Sequence, residues 1–287
     1  MGAELRVYRR RIRSVESTRK ITKAMELIAA SRIVKAQARM NNAKPYSREL
    51  SAALAEIGDD KTLAHPMLTG VENPRRAGVL VITSDRGLAG GYNANALKTA
   101  NELAGRLEAE GKEVDRYVIG RKGLGYFRFR RIEVAGSWTG FSEQPNFADA
   151  HGATATIVAA LSATSEGRVE HGEADGRPGI DELWVVYTRF VNSVTQTPTA
   201  VKVSPVGDAT HPDDEQHDEQ EDAEKPQSQA QYEFEPEPAE LIGALLPRYI
   251  SSRIFSALLE SAASESAGGG GGRPWGGGHP PPPQPNK

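Results

Sequence analysis

The chain has no cysteine among its 287 residues. Disulfides, thiol catalysis and cysteine-ligated metal are thereby excluded, and the composition suits a reducing compartment. The six histidines are scattered, with no HxxxH or HExxH spacing. No apolar run approaches the ~18 residues of a membrane span, and charge begins at Glu4, so neither a transmembrane helix nor a secretory signal is predicted. Glycine and proline are also missing from Glu4 to Lys44. That absence predicts one unbroken helix through the first fifth of the chain, residues 1–57, with a kink only at Pro45.

At ~1.5 Å per residue such a helix is a rod on the order of 80 Å long. Leu5, Tyr8, Ile12 and Val15 recur at three- and four-residue steps, and the seam shifts through Thr18 and Ile21 to Met25 and Ile28. The stripe is narrow and suits one partner helix. From residue 1 to 44 there are twelve Lys or Arg against three Glu. A solvated charged face is the ordinary reading of such a run, with a nucleic-acid or anionic-membrane surface as the functional alternatives. Basic residues surround the rod and the apolar stripe is too narrow for insertion, which disfavours both alternatives.

The net charge of −3 hides a polarity, basic at the front and acidic near residues 208–240. Between them, residues 75–206 read as a small open α/β unit. Strands are expected at Ala77–Thr83, Glu113–Ile119, a segment near Arg130–Val134, Glu182–Val191 and Thr197–Val203. Helices are expected at Asn95–Glu110 and Phe147–Leu161. Ser84–Asn93 is a Gly-rich turn between the first strand and helix, a place where phosphate can be cradled. Its GLAGG matches neither GxGxxG nor GxxxxGK[ST], so a tight structural turn is the reading and no cofactor is expected. Asp85 and Arg86 are candidates for an ion pair there, and Ser84 has no sequence hint of an activating His.

Two polar stretches follow. Ser165–Gly179 is read as a solvated loop, too polar and Gly-rich to pack, with a regulatory contact as the alternative. Residues 207–231 carry nine acidic side chains against Lys225 alone, which predicts an extended, self-repelling linker. A helix is expected from Ala239 to Ala267, with an apolar face of Leu241, Leu245, Tyr249, Ile254, Leu258 and Leu259. Residues 268–287, GGGGGRPWGGGHPPPPQPNK, have flexible-coil and polyproline character.

The run Thr18–Arg32, TRKITKAMELIAASR, strongly resembles the N-terminal helix of the γ subunit of F-type ATP synthase, the central rotor shaft. TSDRGLAGGY, residues 83–92, resembles a second characteristic block of that family, and residues 238–267 resemble the first half of its C-terminal helix. The resemblance implies an antiparallel coiled coil of the two terminal helices on a small open Rossmann-like α/β foot, 1–57 and 232–267 forming the coil. It implies α and β subunits around the shaft, the ε subunit and c ring at the foot, and membrane contact only through those partners. It further implies a peripheral location at the cytoplasmic face of the cell membrane, a mechanical role in ion-driven ATP synthesis, and no active site in this chain.

By the same resemblance Thr22, Lys23 and Met25 lie close to the acidic catch loop of the β subunits, and Tyr232, Glu233 and Glu235 near the c ring. Ser165–Gly179 resembles a loop that actinobacterial γ subunits carry. Members of the family continue the last helix in an Ala- and Arg-rich stretch with an Ala-Met-Lys signature that this chain lacks. With Glu240 placed beside Ile57, Ala267 falls level with Ala30, and the rod from Glu4 to about Ala29 is expected to have no partner. A shifted reading frame in GC-rich coding DNA is the favoured origin of the tail, a genuine low-complexity tail the rival. The other functional classes in view are a nucleotide-binding α/β protein and a basic-helix nucleic-acid binder.

Overall fold

A computed structural model describes residues 2–58, 65–208 and 238–270. The first helix, α1, runs without a break through Gly2–Gly58, Pro45 included. A short α2 (Pro66–Thr69) leads into β1 (Arg76–Ile82), α3 (Tyr92–Ala109), β2 (Glu113–Ile119), α4 (Arg121–Phe129), β3 (Gly136–Trp138), α5 (Phe147–Ala163), β4 (Glu182–Phe190) and β5 (Gln196–Ser204). The last helix, α6, spans Pro238–Gly270.

The strands form one sheet in the order β3-β2-β1-β4-β5. The first four are mutually parallel and β5 returns antiparallel to β4. Six of the seven residues of β1 are buried, as a strand covered on both faces requires. One face packs Val79, Val81 and Val118 against Leu97, Leu103 and Leu107 of α3 and Phe127 of α4. The other packs Leu80, Ile119 and Val185 against Ile157 of α5 and Ile250, Ile254 and Leu258 of α6. Helix α1 lies outside these layers, antiparallel on α6.

The α1–α6 seam uses small side chains. Among the buried or half-buried residues of α1, those at 29, 33, 36, 40, 43, 47, 50 and 54 alternate steps of four and three as a coiled-coil seam demands, and 32, 51 and 53 flank that seam. On the facing side α6 supplies Ser252, Leu259 and Ala262, and Ser47 meets Ser252 at 2.7 Å. That contact is within two residues of the expected register. Toward the front, Leu5, Tyr8, Ile12, Val15 and Ile21 are all exposed, with none of the other described residues packed over them.

Several expectations are corrected. The segment Arg130–Val134 is not a strand; the third strand is the three-residue β3 at 136–138, because residues 121–129 fold into α4, a helix absent from the sequence reading. Ser165–Gly179 does pack: Val169 and Ala174 are buried in the core under α5, and Arg168 bridges Pro178 across the loop. Its polar appearance is offset by Asp181, whose carboxylate accepts from the backbone N–H of Ser165, Arg75 and Arg76 at 2.7–3.0 Å. The apolar face of α6 is shifted, with Ile242 and Leu246 buried where Leu241 and Leu245 are only half-buried. From Ala257 to Ala267 every residue of α6 is buried. The acidic stretch 209–231 and the tail 271–287 lie outside the described residues.

Candidate functional site

Two places on the fold bear on function: the front of α1, and the junction where the end of α6 meets the Gly-rich turn. In an open α/β sheet the crevice for a ligand lies at the carboxyl ends of the strands where the order reverses, here between β1 and β4. That crevice is filled by the chain's own last helix. Ser264 Oγ donates to the Thr188 carbonyl of β4 at 2.9 Å, and Ser261 Oγ accepts from the Thr188 N–H at 3.3 Å. Beyond them a Cβ on Gly268 would stand 2.6 Å from the Ala89 carbonyl, so only glycine lets α6 close on the turn.

The turn is built for that packing. Gly87, Leu88 and Gly90 have φ of 82°, 59° and 56°, a sequence of left-handed residues that brings the backbone round within a few positions. Asn93 locks it, accepting from the Ser84 N–H at 2.8 Å and donating to Ser84 Oγ at 2.8 Å. The turn is tight, as expected from GLAGG, and α6 closes on it at Ala89.

Asp85 and Arg86 do not pair with each other. The Asp85 carboxylate accepts from the N–H groups of Arg121, Gly140 and Ser142 at 2.8–3.1 Å, tying α4 and the loop after β3 to the turn. Arg86 instead reaches Glu143 at 3.4 Å. The other Glu143 oxygen takes Arg32 of α1 at 2.8 Å. Glu143 is thus a polar link between α1 and the foot, and sequence reasoning missed it because Arg32 and Glu143 lie far apart in the chain. Charge complementarity alone could not have selected that pair among so many arginines.

Of the six predicted contact residues, Thr22, Lys23 and Met25 share one turn of α1. Thr22 Oγ1 donates back to the Thr18 carbonyl at 3.0 Å, and Lys23 pairs with Glu26 at 3.0 Å on an exposed face. An exposed pair of that kind contributes little, so Lys23 can exchange Glu26 for another acidic partner at small cost. Met25 is turned toward the junction, where it lines a 240 Å³ cavity with Ile28, Arg32, Leu88 and Glu265. Tyr232, Glu233 and Glu235 lie outside the described residues.

Residues 4–268 match the ATP synthase family. The chain is 49% identical over 263 residues to the ATP synthase gamma chain of Saccharopolyspora erythraea, covering 91% of this chain and 82% of that one. It is 51% identical over 265 residues to the ATP synthase gamma chain of Nocardia farcinica, with the same coverage. The chain belongs to the ATP synthase gamma chain family. A chain of the central stalk and c ring of Tetrahymena thermophila mitochondrial ATP synthase shares its fold, with a TM-score of 0.56 at 20% identity, covering 87% of this chain and 96% of that one. In this chain the Gly-rich turn buries Ser84, Ala89 and Tyr92 against the rest of the fold, with Leu88, Gly90 and Gly91 exposed, and the front of α1 is a separate exposed surface. The turn holds foot to shaft.

Among the described residues no helix is long and apolar enough to cross a membrane, and no cluster of His, Asp or Glu has metal-binding geometry.

Proposed function

We propose that this chain is the rotating shaft of an F-type ATP synthase, transmitting torque between a c ring at its foot and the α/β ring around its upper end. One observation carries the reading: α1 projects more than twenty residues beyond the buried seam, carrying an exposed apolar stripe and eight Lys or Arg against three Glu over residues 4–28. A free-standing helix of that kind is ordered by surfaces that enclose it. The α and β subunits are such surfaces, and Thr22, Lys23 and Met25 are the contacts with the acidic catch loop of β. The foot meets the ε subunit and the c ring, with Tyr232, Glu233 and Glu235 near the ring. The chain is peripheral, at the cytoplasmic face of the cell membrane, and touches the bilayer through its partners. Proton flow turns ring and foot; ATP chemistry stays in the surrounding subunits.

The test is assembly. Mixed with α and β subunits, the chain is expected to form a complex with ATPase activity; a chain that remains apart from both overturns the reading. Millimolar NAD or ATP is expected to leave the isolated chain unbound by calorimetry, since α6 fills the crevice between β1 and β4.

A further inference from the structure

At the junction the three carboxylates are partnered unequally, and Glu265, hydrogen-bonded to the Ser142 hydroxyl, has no cation as a direct partner among the described residues. Glu143 holds Arg32 and Arg86, and Asp85 holds three backbone N–H groups with the Arg121 guanidinium 3.9 Å away. Glu265 of α6 is only 6% exposed, and its Oε2 has no hydrogen-bond partner. Ionised, it would add a negative charge beside Glu143 and Asp85 with little water to solvate it.

We propose that Glu265 is a proton-binding site that latches the end of the shaft helix onto the foot: neutral Glu265 lets α6 close on the Leu88–Gly91 turn, and ionised Glu265 loosens it.

The groups facing Glu265 come from every element around it. Arg32 faces it from α1, Asp85 and Arg86 from the turn, Ser142 and Glu143 from the loop after β3, and Tyr92 from α3. Burial pushes its pKa up to about 7; the Ser142 hydroxyl pulls it back, Glu143 and Asp85 push it up, and Arg32 pulls it back. Burial, then the Glu265 charge, raises the Tyr92 phenol, which stays protonated throughout this range.

The sign follows from linkage. A carboxyl whose docked pKa lies above its ordinary 4.5 takes up a proton on docking. The stabilisation is complete below pH 4.5, falls as pH rises from there, and is lost by about pH 7, where the docked form ionises too. Between pH 5 and 7 the docked arrangement should lose weight by on the order of tenfold or more.

The experiment uses the full chain and its Glu265→Gln variant. Carboxyl ¹³C titration should show a group with a midpoint near 7 that is missing from E265Q. Amide exchange over residues 262–270, corrected for the intrinsic effect of pH, should rise on the order of tenfold or more from pH 5 to 7, and by less than about twofold in E265Q. A Glu265 midpoint in the ordinary range, or a pH dependence that E265Q retains, overturns the proposal. Glu143→Gln supplies a second test independent of E265Q: removing that charge frees Arg32 and should lower the Glu265 midpoint by about half a pH unit or more. An unmoved midpoint would show that the cavity's charges do not act on Glu265 and would equally end the proposal.

Discussion

Ser47 of α1 and Ser252 of α6 lie 2.7 Å apart across the coil, two hydroxyls meeting where larger side chains would hold the helices apart. Ser256 stands 3.5 Å from the same Ser47 oxygen. The lower shaft is therefore a close-packed pair joined by serine hydroxyls, and among the described residues the upper shaft is one helix.

That division predicts two responses to mutation along one stripe. Leu54 is 2% exposed and Leu54→Ala should cost about 2–5 kcal/mol of unfolding free energy. Ile12 occupies the same seam but is 57% exposed, and Ile12→Ser should change stability by about 0.5 kcal/mol or less in the isolated chain. Urea denaturation of both variants checks the contrast, and equal losses would mean that the front of α1 is packed.

Gly120 has a φ of 101°, and a Cβ there would stand 2.1 Å from the Thr83 carbonyl. The substituted residue would meet left-handed strain and a backbone clash together, neither relieved by a side-chain rotation. Gly120→Ala should cost about 3 kcal/mol or more, read as a lowered thermal midpoint.

Asp181 gives the foot an acid-sensitive tie. Burial alone would raise its carboxyl, but the N–H groups of Ser165, Arg75 and Arg76 together with the Ser165 hydroxyl outweigh it and hold the pKa below the ordinary 3.8. A depressed folded value means stability that is present above pH 3.8 and lost as pH falls through the lower folded pKa. Asp181→Asn places an amide NH₂ among backbone donors. It should cost about 2–3 kcal/mol at neutral pH and flatten the acid limb of the stability curve, measured by urea unfolding from pH 2 to 7.

In the proposed contact with the β subunits, Lys23→Glu reverses the charge offered to their acidic loop while leaving the foot untouched. ATP-driven ion pumping by the assembled complex should fall about fivefold, the weight of ~1 kcal/mol, with the thermal midpoint of the isolated chain unchanged. Unaltered pumping would remove Lys23 from the contact.

Much of this architecture is legible in the residues themselves. β1, β2, β4 and β5 appear in sequence within one residue of their ends, β1 because a strand buried on both faces is written as a short apolar run, and β5 because Val201 and Val203 alternate with polar Lys202. The register of the coil is legible too, since two helices of equal rise carry one anchor point along their whole length. Helix α4 is hidden because Gly123 and Gly125 interrupt it. Gly123 is there because a Cβ would come within 2.8–3.0 Å of Thr83 and Val118, a reason visible only once the strands are assembled. The loop at 165–179 reads as solvated because its two buried apolar residues, Val169 and Ala174, are too few to make a pattern. Glu265 reads as surface for the opposite reason: the acids of ESAASESA look alike in sequence, and only the fold buries them.

The step from two helices to one along the axis has a mechanical consequence. A paired rod resists bending and twisting far more than one of its members, so a couple applied at the base passes nearly undistorted through the lower part. The same couple winds the slender upper part like a spring. Among the described residues compliance is therefore concentrated above Ala29, where a couple is taken up first as elastic deformation of one helix.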